Sequence, residues 1–291
     1  MNGELSIDLQ SFVKRVYYSL LYKSTFFNFL NENYIGELRQ TGAPIIEVIK
    51  SNAVSVNVRS TAEIQSALAP TLTTYGSVKV DLTDLPMDYS LRVPVAVMGS
   101  DITNALQDAI DRKDAAIAKQ IDTYGYGILK GNVTQAKQWN PSNAGDTIKL
   151  LNECRATLFN KDVPGDYRLG LQATSYAAYV TDLTSVLKYE TLAGVEGVDR
   201  GIIARAYGVD AFEINDNVIN PTVDGHSESV VGYFFNSIAV VGDAFFDAFV
   251  QYNGNYPGFP GYYVIEGNVL FGAKVVQGDA IIKLQSGAVS S

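Results

Sequence analysis

Residues 99–130 read GSDITNALQDAIDRKDAAIAKQIDTYGYGILK, and this stretch decides the fold. Its apolar residues are Ile102, Ala105, Leu106, Ala109, Ile110, Ala116, Ile117, Ile121 and Tyr124. Steps of three and four put them on one side of a 3.6-residue helix. Ser100 or Asp101 is suited to cap the start, and Gly131 is expected to end the helix in a left-handed conformation. A helix of about thirty residues runs roughly 45 Å. That length suits a beam carrying a broad, thin subunit. Asp108, Asp111 and Asp114, interleaved with Arg112 and Lys113, read as its solvated, ion-paired face.

Upstream of the beam, residues 11–30 form an amphipathic arm with Phe12, Val16, Leu20, Phe26, Phe27 and Leu30 apolar. The arm packs either on its own domain or on a neighbouring subunit. Between arm and beam, Val54, Val56 and Val58 alternate with polar residues, as do Val78, Val80 and Leu82, and then Leu91, Val93, Val95 and Val97. Period-two alternation is the strand signature, and Pro94 suggests an edge position because it donates no ladder hydrogen bond. Residues 60–74 are small and polar, the tip of an extended hairpin. A two- or three-stranded ribbon cannot bury both its faces alone.

Downstream, Asp146 is expected to cap a helix bearing Ile148, Leu151 and Leu158. A Val163-Pro164-Gly165-Asp166 turn leads to a short strand at Leu169 and Leu171, then to a helix over residues 175–187. Residues 193–201 are glycine-rich and read as a loop. Strands are expected over residues 207–214, 230–235, 249–252, 262–265, 270–276 and 280–284, with the Gly-, Pro- and aromatic-rich residues 252–263 as a turn. The class is α+β with segregated elements.

The chain has 291 residues, 47% of them hydrophobic, with a net charge of −9 and a pI near 4.7. A packed core is expected, and the basic footprint of a free-standing nucleic-acid binder is missing. One cysteine, Cys154, and one histidine, His226, allow neither an internal disulfide nor a Cys/His zinc site. The start lacks a secretory pattern and no apolar run is long enough to span a bilayer, so a cytoplasmic protein is expected. Residues 125–131 superficially resemble a phosphate loop, but no Gly-Lys-Ser/Thr follows. Asp210, Glu213, Asn215, Asp216 and Asn217 lack the spacing of a calcium loop. No Gly-x-Ser-x-Gly elbow accompanies His226. Cys154 reads as structural. No catalytic residue, cofactor or metal is expected.

The order of parts resembles the major capsid proteins of tailed bacteriophages, the Hong Kong 97 phage capsid fold. Asn33-Tyr34-Ile35-Gly36-Glu37-Leu38 ahead of Thr41-Gly42-Ala43-Pro44 resembles that family's passage from arm to extended loop. Residues 101–122 resemble its spine helix. Val163-Pro164, Tyr167-Arg168-Leu169 and Ser175-Tyr176-Ala177-Ala178 resemble its axial-domain passage, and residues 267–276 with 279–282 resemble its closing strands. The resemblance implies an N-terminal arm at 1–36, an extended β-hairpin loop at 37–98 and a peripheral domain with the spine helix at 99–145. An axial domain at 146–234 and C-terminal strands returning to the peripheral domain at 235–291 follow.

It further implies a structural subunit that assembles with itself into pentamers and hexamers of an icosahedral head around double-stranded DNA. Expected partners are a separate scaffolding protein and a portal, with no sequence-specific DNA binding and no membrane. The location would be the virion, after assembly in the host cytoplasm. Expected assembly contacts are Phe26, Phe27, Val54, Val56, Val58, Ile64, Leu68, Gly194, Glu196 and Arg200. Two alternatives stand beside this reading: an encapsulin-type compartment shell, and an enzyme using an unrecognised carboxylate site at Asp108 or Asp111.

Overall fold

The computed structural model describes residues 9–35, 44–51, 75–94, 98–139, 145–163, 165–186, 202–206, 208–219 and 230–286. Helix α1 (Leu9–Lys23) and a 3-10 turn (Thr25–Phe29) form the arm. Strands β1 (Ile45–Ser51) and β2 (Tyr75–Asp81) pair antiparallel, Ile45 opposite Asp81 and Ser51 opposite Tyr75. The expected hairpin is therefore present at its base, and the alternation at Val54, Val56 and Val58 lies outside the described residues. Strand β3 (Leu85–Pro94) leads to α2 (Met98–Asn132), the spine.

The spine runs through Gly131 without a left-handed residue there, so the expected glycine stop is corrected. Asn132 Nδ2 folds back to donate to the Ile128 carbonyl at 2.9 Å, and Val133 N donates to the Leu129 carbonyl at 3.0 Å, which closes the last turn. Leu106, Ile110, Ile117, Ile121 and Leu129 face the core as the periodicity requires. The acidic face divides: Asp108 and Asp111 are exposed, but Asp114 is buried, which corrects its assignment to a solvated face.

Strands β9 (Val240–Tyr256) and β10 (Phe259–Val275) are each 17 residues long and join β3 in a sheet ordered β3-β10-β9. The turn expected over residues 252–263 contracts to Pro257-Gly258. The inner face of this sheet carries Tyr89, Leu91, Val93, Tyr263, Ile265, Val269 and Phe271, all buried in the core that α1 and α2 share. Pro94 lies on an edge strand, as its missing N–H requires.

The second sheet is six-stranded, ordered β4-β11-β8-β5-β7-β6. It comprises β4 (Ala136–Trp139), β5 (Tyr167–Gln172), β6 (Ile202–Ala206), β7 (Val209–Ile214), β8 (Val230–Asn236) and β11 (Ile281–Ser286). Within it β4–β11 and β5–β7 run parallel, and the remaining pairs are antiparallel. Gly208 (φ 74°) makes the turn between β6 and β7 where one strand was expected over 207–214. Helices α3 (Asp146–Phe159), α4 (Ala173–Val186) and α5 (Asp216–Ile219) complete the fold. Asp146 does not supply the cap of α3. Asp182 of α4 does, accepting from Gly145 N at 2.7 Å and Thr147 N at 2.9 Å.

Candidate assembly surfaces

Three places were expected to meet neighbouring copies: the Phe26–Phe27 pair, the hairpin and the glycine-rich loop. Phe26 and Phe27 are buried within the single chain. Phe26 stacks on Phe29 at 5.8 Å and meets Tyr126 and Phe271 edge-on. Phe27 meets Phe271 at 5.7 Å. Their assignment as contacts between chains is corrected: the arm closes on its own spine helix, so these rings have no free surface.

Two features of the spine make the seat for this plug. A Cβ at Gly125 would stand 2.4 Å from the Phe26 ring, so the ring fits only over a residue without a side chain. Three residues earlier, Asp122 gathers the donors of the turn. Its Oδ1 accepts from Ser24 Oγ at 2.5 Å and Phe26 N at 2.9 Å; its Oδ2 accepts from Thr25 N at 3.3 Å and Thr25 Oγ1 at 3.1 Å. Burial pushes this carboxyl above its ordinary value, and the four hydrogen bonds oppose that shift.

The hairpin behaves differently. One face, Ile46, Val48, Val80 and Leu82, is buried against Val241, with Tyr34, Phe245 and Val276 alongside. Gly272 permits this approach, because a Cβ there would stand 1.9 Å from the Asp81 carbonyl oxygen. The other face leaves Ile45 exposed and Ile49 68% exposed, interspersed with Glu47, Ser77 and Lys79. On α1, Tyr18 and Tyr22 also stand in water, Tyr22 at 83% exposure, and Phe159 at the end of α3 is 74% exposed. The sequence reading passed over these five residues. One signal for the hairpin was available: Ile45, Ile46, Val48 and Ile49 are apolar at both parities, so both faces of the ribbon demand cover. Val54, Val56, Val58, Ile64, Leu68, Gly194, Glu196 and Arg200 lie outside the described residues, as does His226.

The groups that invited chemistry do not converge. Asp108 pairs with Arg112 at 3.0 Å on the exposed side of the spine. Asp111 receives Lys23 Nζ at 3.2 Å and Gln107 Nε2 at 3.0 Å, and these hold its carboxyl below the ordinary value, the Gln107 bond foremost. Cys154 is buried and its thiol is pushed up to about 12, a range in which it forms no thiolate near neutral pH. Asp216 Oδ1 accepts from Ala173 N at 2.7 Å, tying α5 to the start of α4. Among the described residues no group of three or more His, Cys, Asp and Glu side chains is placed to hold a metal ion. No described helix is long and apolar enough to cross a membrane.

An arm, a two-stranded hairpin base, a spine helix, a long-stranded sheet and a separate mixed sheet match the Hong Kong 97 phage capsid fold, and the chain adopts it. It superposes on the capsid structure of cyanophage P-SCSP1u with a TM-score of 0.58 at 14% identity, covering 84% of each chain. A structure from Mycobacterium phage Che8 matches with a TM-score of 0.55 at 17% identity over 90% of each chain. The capsid of an empty GTA particle matches with a TM-score of 0.54 at 11% identity over 86% of this chain and 89% of its own. No family model and no curated protein sequence matches the chain.

Proposed function

We propose that the chain is the major capsid subunit of a tailed phage, tiling into hexamers and pentamers of an icosahedral shell that encloses double-stranded DNA. The observation that carries this reading is the likeness to phage capsid structures over 84 to 90% of the chain. The half-covered hairpin supports it physically. An exposed ribbon face with two isoleucines, beside uncovered tyrosines on α1, is surface that repeated lateral contacts would bury. The net charge of −9 suits a wall that does not grip its contents. The remaining expected contacts, in the hairpin tip and the glycine-rich loop, belong to this proposal. So do a scaffolding protein and a portal as partners, and virion assembly in a host cytoplasm.

The test is negative-stain electron microscopy of the chain expressed alone and with its genomic neighbours. Closed shells of uniform diameter are expected. Particles loaded with protein cargo in place of DNA would favour the compartment shell, and a chain that stays monomeric under every assembly condition would overturn both. Deleting residues 64–73 is expected to leave folded subunits that form no shells; normal shells from that deletion would remove the hairpin from the assembly mechanism.

A further inference from the structure

The spine helix holds the arm at two sites that differ in kind. At Asp122 the 3-10 turn is fixed by four donors and an inserted ring, as described above. One residue, Ser24, separates that turn from α1, and its backbone is extended (φ −90°, ψ 121°), so two helical segments meet at a single non-helical joint. Eight residues back along the spine, about 12 Å at 1.5 Å per residue, Asp114 lies buried under the middle of α1. It has fewer donors: Tyr89 Oη of β3 at 3.1 Å and the hydroxyl of Ser19 on α1. A third carboxylate, Asp243 of β9, is buried beneath the same helix and accepts from Tyr17 Oη at 3.0 Å.

We infer that α1 is a hinged flap, pinned at Ser24 by the Asp122 clasp, and that the proton on Asp114 sets how tightly the flap sits. Every element packed round Asp114 contributes to the balance. From α1, Lys23 favours the charged form; from β3, Tyr89 donates to it; from the spine itself, Asp111 opposes it. Arg15, which bonds Gln107, lies within electrostatic reach of Tyr89. Desolvation is the largest influence, and the net effect raises the carboxyl above its ordinary value of 3.8.

The sign follows from linkage. A carboxyl that binds its proton more tightly with the flap seated makes seating most favourable in acid and less so as pH rises through the seated value. Opening exposes the inner sheet surface at Tyr89, Phe246 and Phe249, which α1 otherwise covers through Phe12 and Tyr17. The 3-10 turn stays in place, because its anchor is separate. None of this depends on the shell proposal.

The test is amide hydrogen exchange read by mass spectrometry on the full-length chain at pH 3.5, just below the ordinary carboxyl value, and at pH 8, with protection corrected for the intrinsic exchange rate. Protection across residues 9–23 is expected to fall about threefold or more from pH 3.5 to pH 8 while residues 117–129 of the spine hold steady. Asp114→Asn is expected to flatten that fall, since asparagine keeps an acceptor for Tyr89 Oη without the buried charge. Equal corrected protection at the two pH values, or an undiminished fall in Asp114→Asn, would overturn the inference. Should that variant not fold, Ser19→Ala and Tyr89→Phe each remove one donor to the carboxylate and are expected to steepen the fall. A uniform loss at both pH values would mean a purely structural role and also overturn it.

Discussion

The 3-10 turn at Thr25–Phe29 and the β1–β2 ribbon carry comparable runs of apolar residues, yet the first sits at the centre of the core and the second leaves half its surface in water. The turn reads TFFNF, and all three phenylalanines are buried within the chain. The ribbon reads IIEVIKS, and only Ile46 and Val48 are. Apolar density thus says that a segment must be covered, not by which chain. What separates the two is the receptor. The spine presents the turn with a side-chain-free notch at Gly125 and a buried acceptor at Asp122 three residues away, whereas the ribbon meets a flat strand along one face only.

The largest effect should come from closing the notch. In Gly125→Leu the new side chain would occupy the volume of the Phe26 ring, which is locked between Phe29, Tyr126 and Phe271. Loss of more than about 4 kcal/mol is expected, seen as little folded subunit or a collapsed thermal transition. A variant unfolding near the wild-type temperature would show that the plug is loosely held. Asp122→Ala comes next. It leaves the backbone N–H of Thr25 and Phe26 and the Ser24 hydroxyl without their acceptor, at about 3 kcal/mol in total. A lower urea midpoint at unchanged m-value checks it.

A smaller effect separates neighbouring carboxyls of the spine. Asp111 and Asp114 are three residues apart and shift in opposite directions. For Asp111, chiefly through the Gln107 hydrogen bond, the folded value lies below the ordinary one. Its contribution to stability is present above that ordinary value and lost as pH falls through the folded one. For Asp114, desolvation raises the folded value, so its contribution is greatest at low pH and is lost as pH rises through the folded value. Relative to wild type, the urea midpoints of Asp111→Asn and Asp114→Asn should therefore move in opposite senses as pH rises from 3 to 8, Asp111→Asn falling behind and Asp114→Asn gaining. Parallel curves would mean that both side chains share one environment.

Periodicity exposed much of this fold in advance and failed for identifiable reasons. The spine, β2 and α4 follow from steps of 3.6 or 2, and β5, β8 and β11 from short apolar runs, whereas β1, apolar at both parities, was missed. The lengths of β9 and β10 were hidden by Gly254, Pro257, Gly258, Pro260 and Gly261. These residues read as a long turn, though the turn itself is only Pro257-Gly258 and the ladder resumes beyond an irregularity that leaves out Gly254 and Gly261. Ser24 likewise hid a break inside what read as one continuous arm helix. The buried roles of Asp114 and Asp122 had no local signal at all. The partners of Asp122 in the arm lie 96 to 98 residues away, and a carboxylate between polar neighbours on a long helix looks solvated until the arm is placed over it.

The smallest effect on the subunit is the most informative about its role. Ile45 and Ile49 sit on the uncovered face of the ribbon, opposite Asp81 and Ser77, and contribute little to the core of a single chain. Replacing both with serine should change subunit stability by no more than about 0.5 kcal/mol per site. If that face is completed by another copy, the same pair of substitutions removes apolar area from every repeated contact of the assembly, and small losses multiply over a closed shell. Folded, stable subunits that sediment as free species under conditions where the wild type associates would then place the missing cover in a second copy. A destabilised subunit would mean that the face packs within its own chain, as the Phe26 plug does, and the contrast between ribbon and plug would disappear.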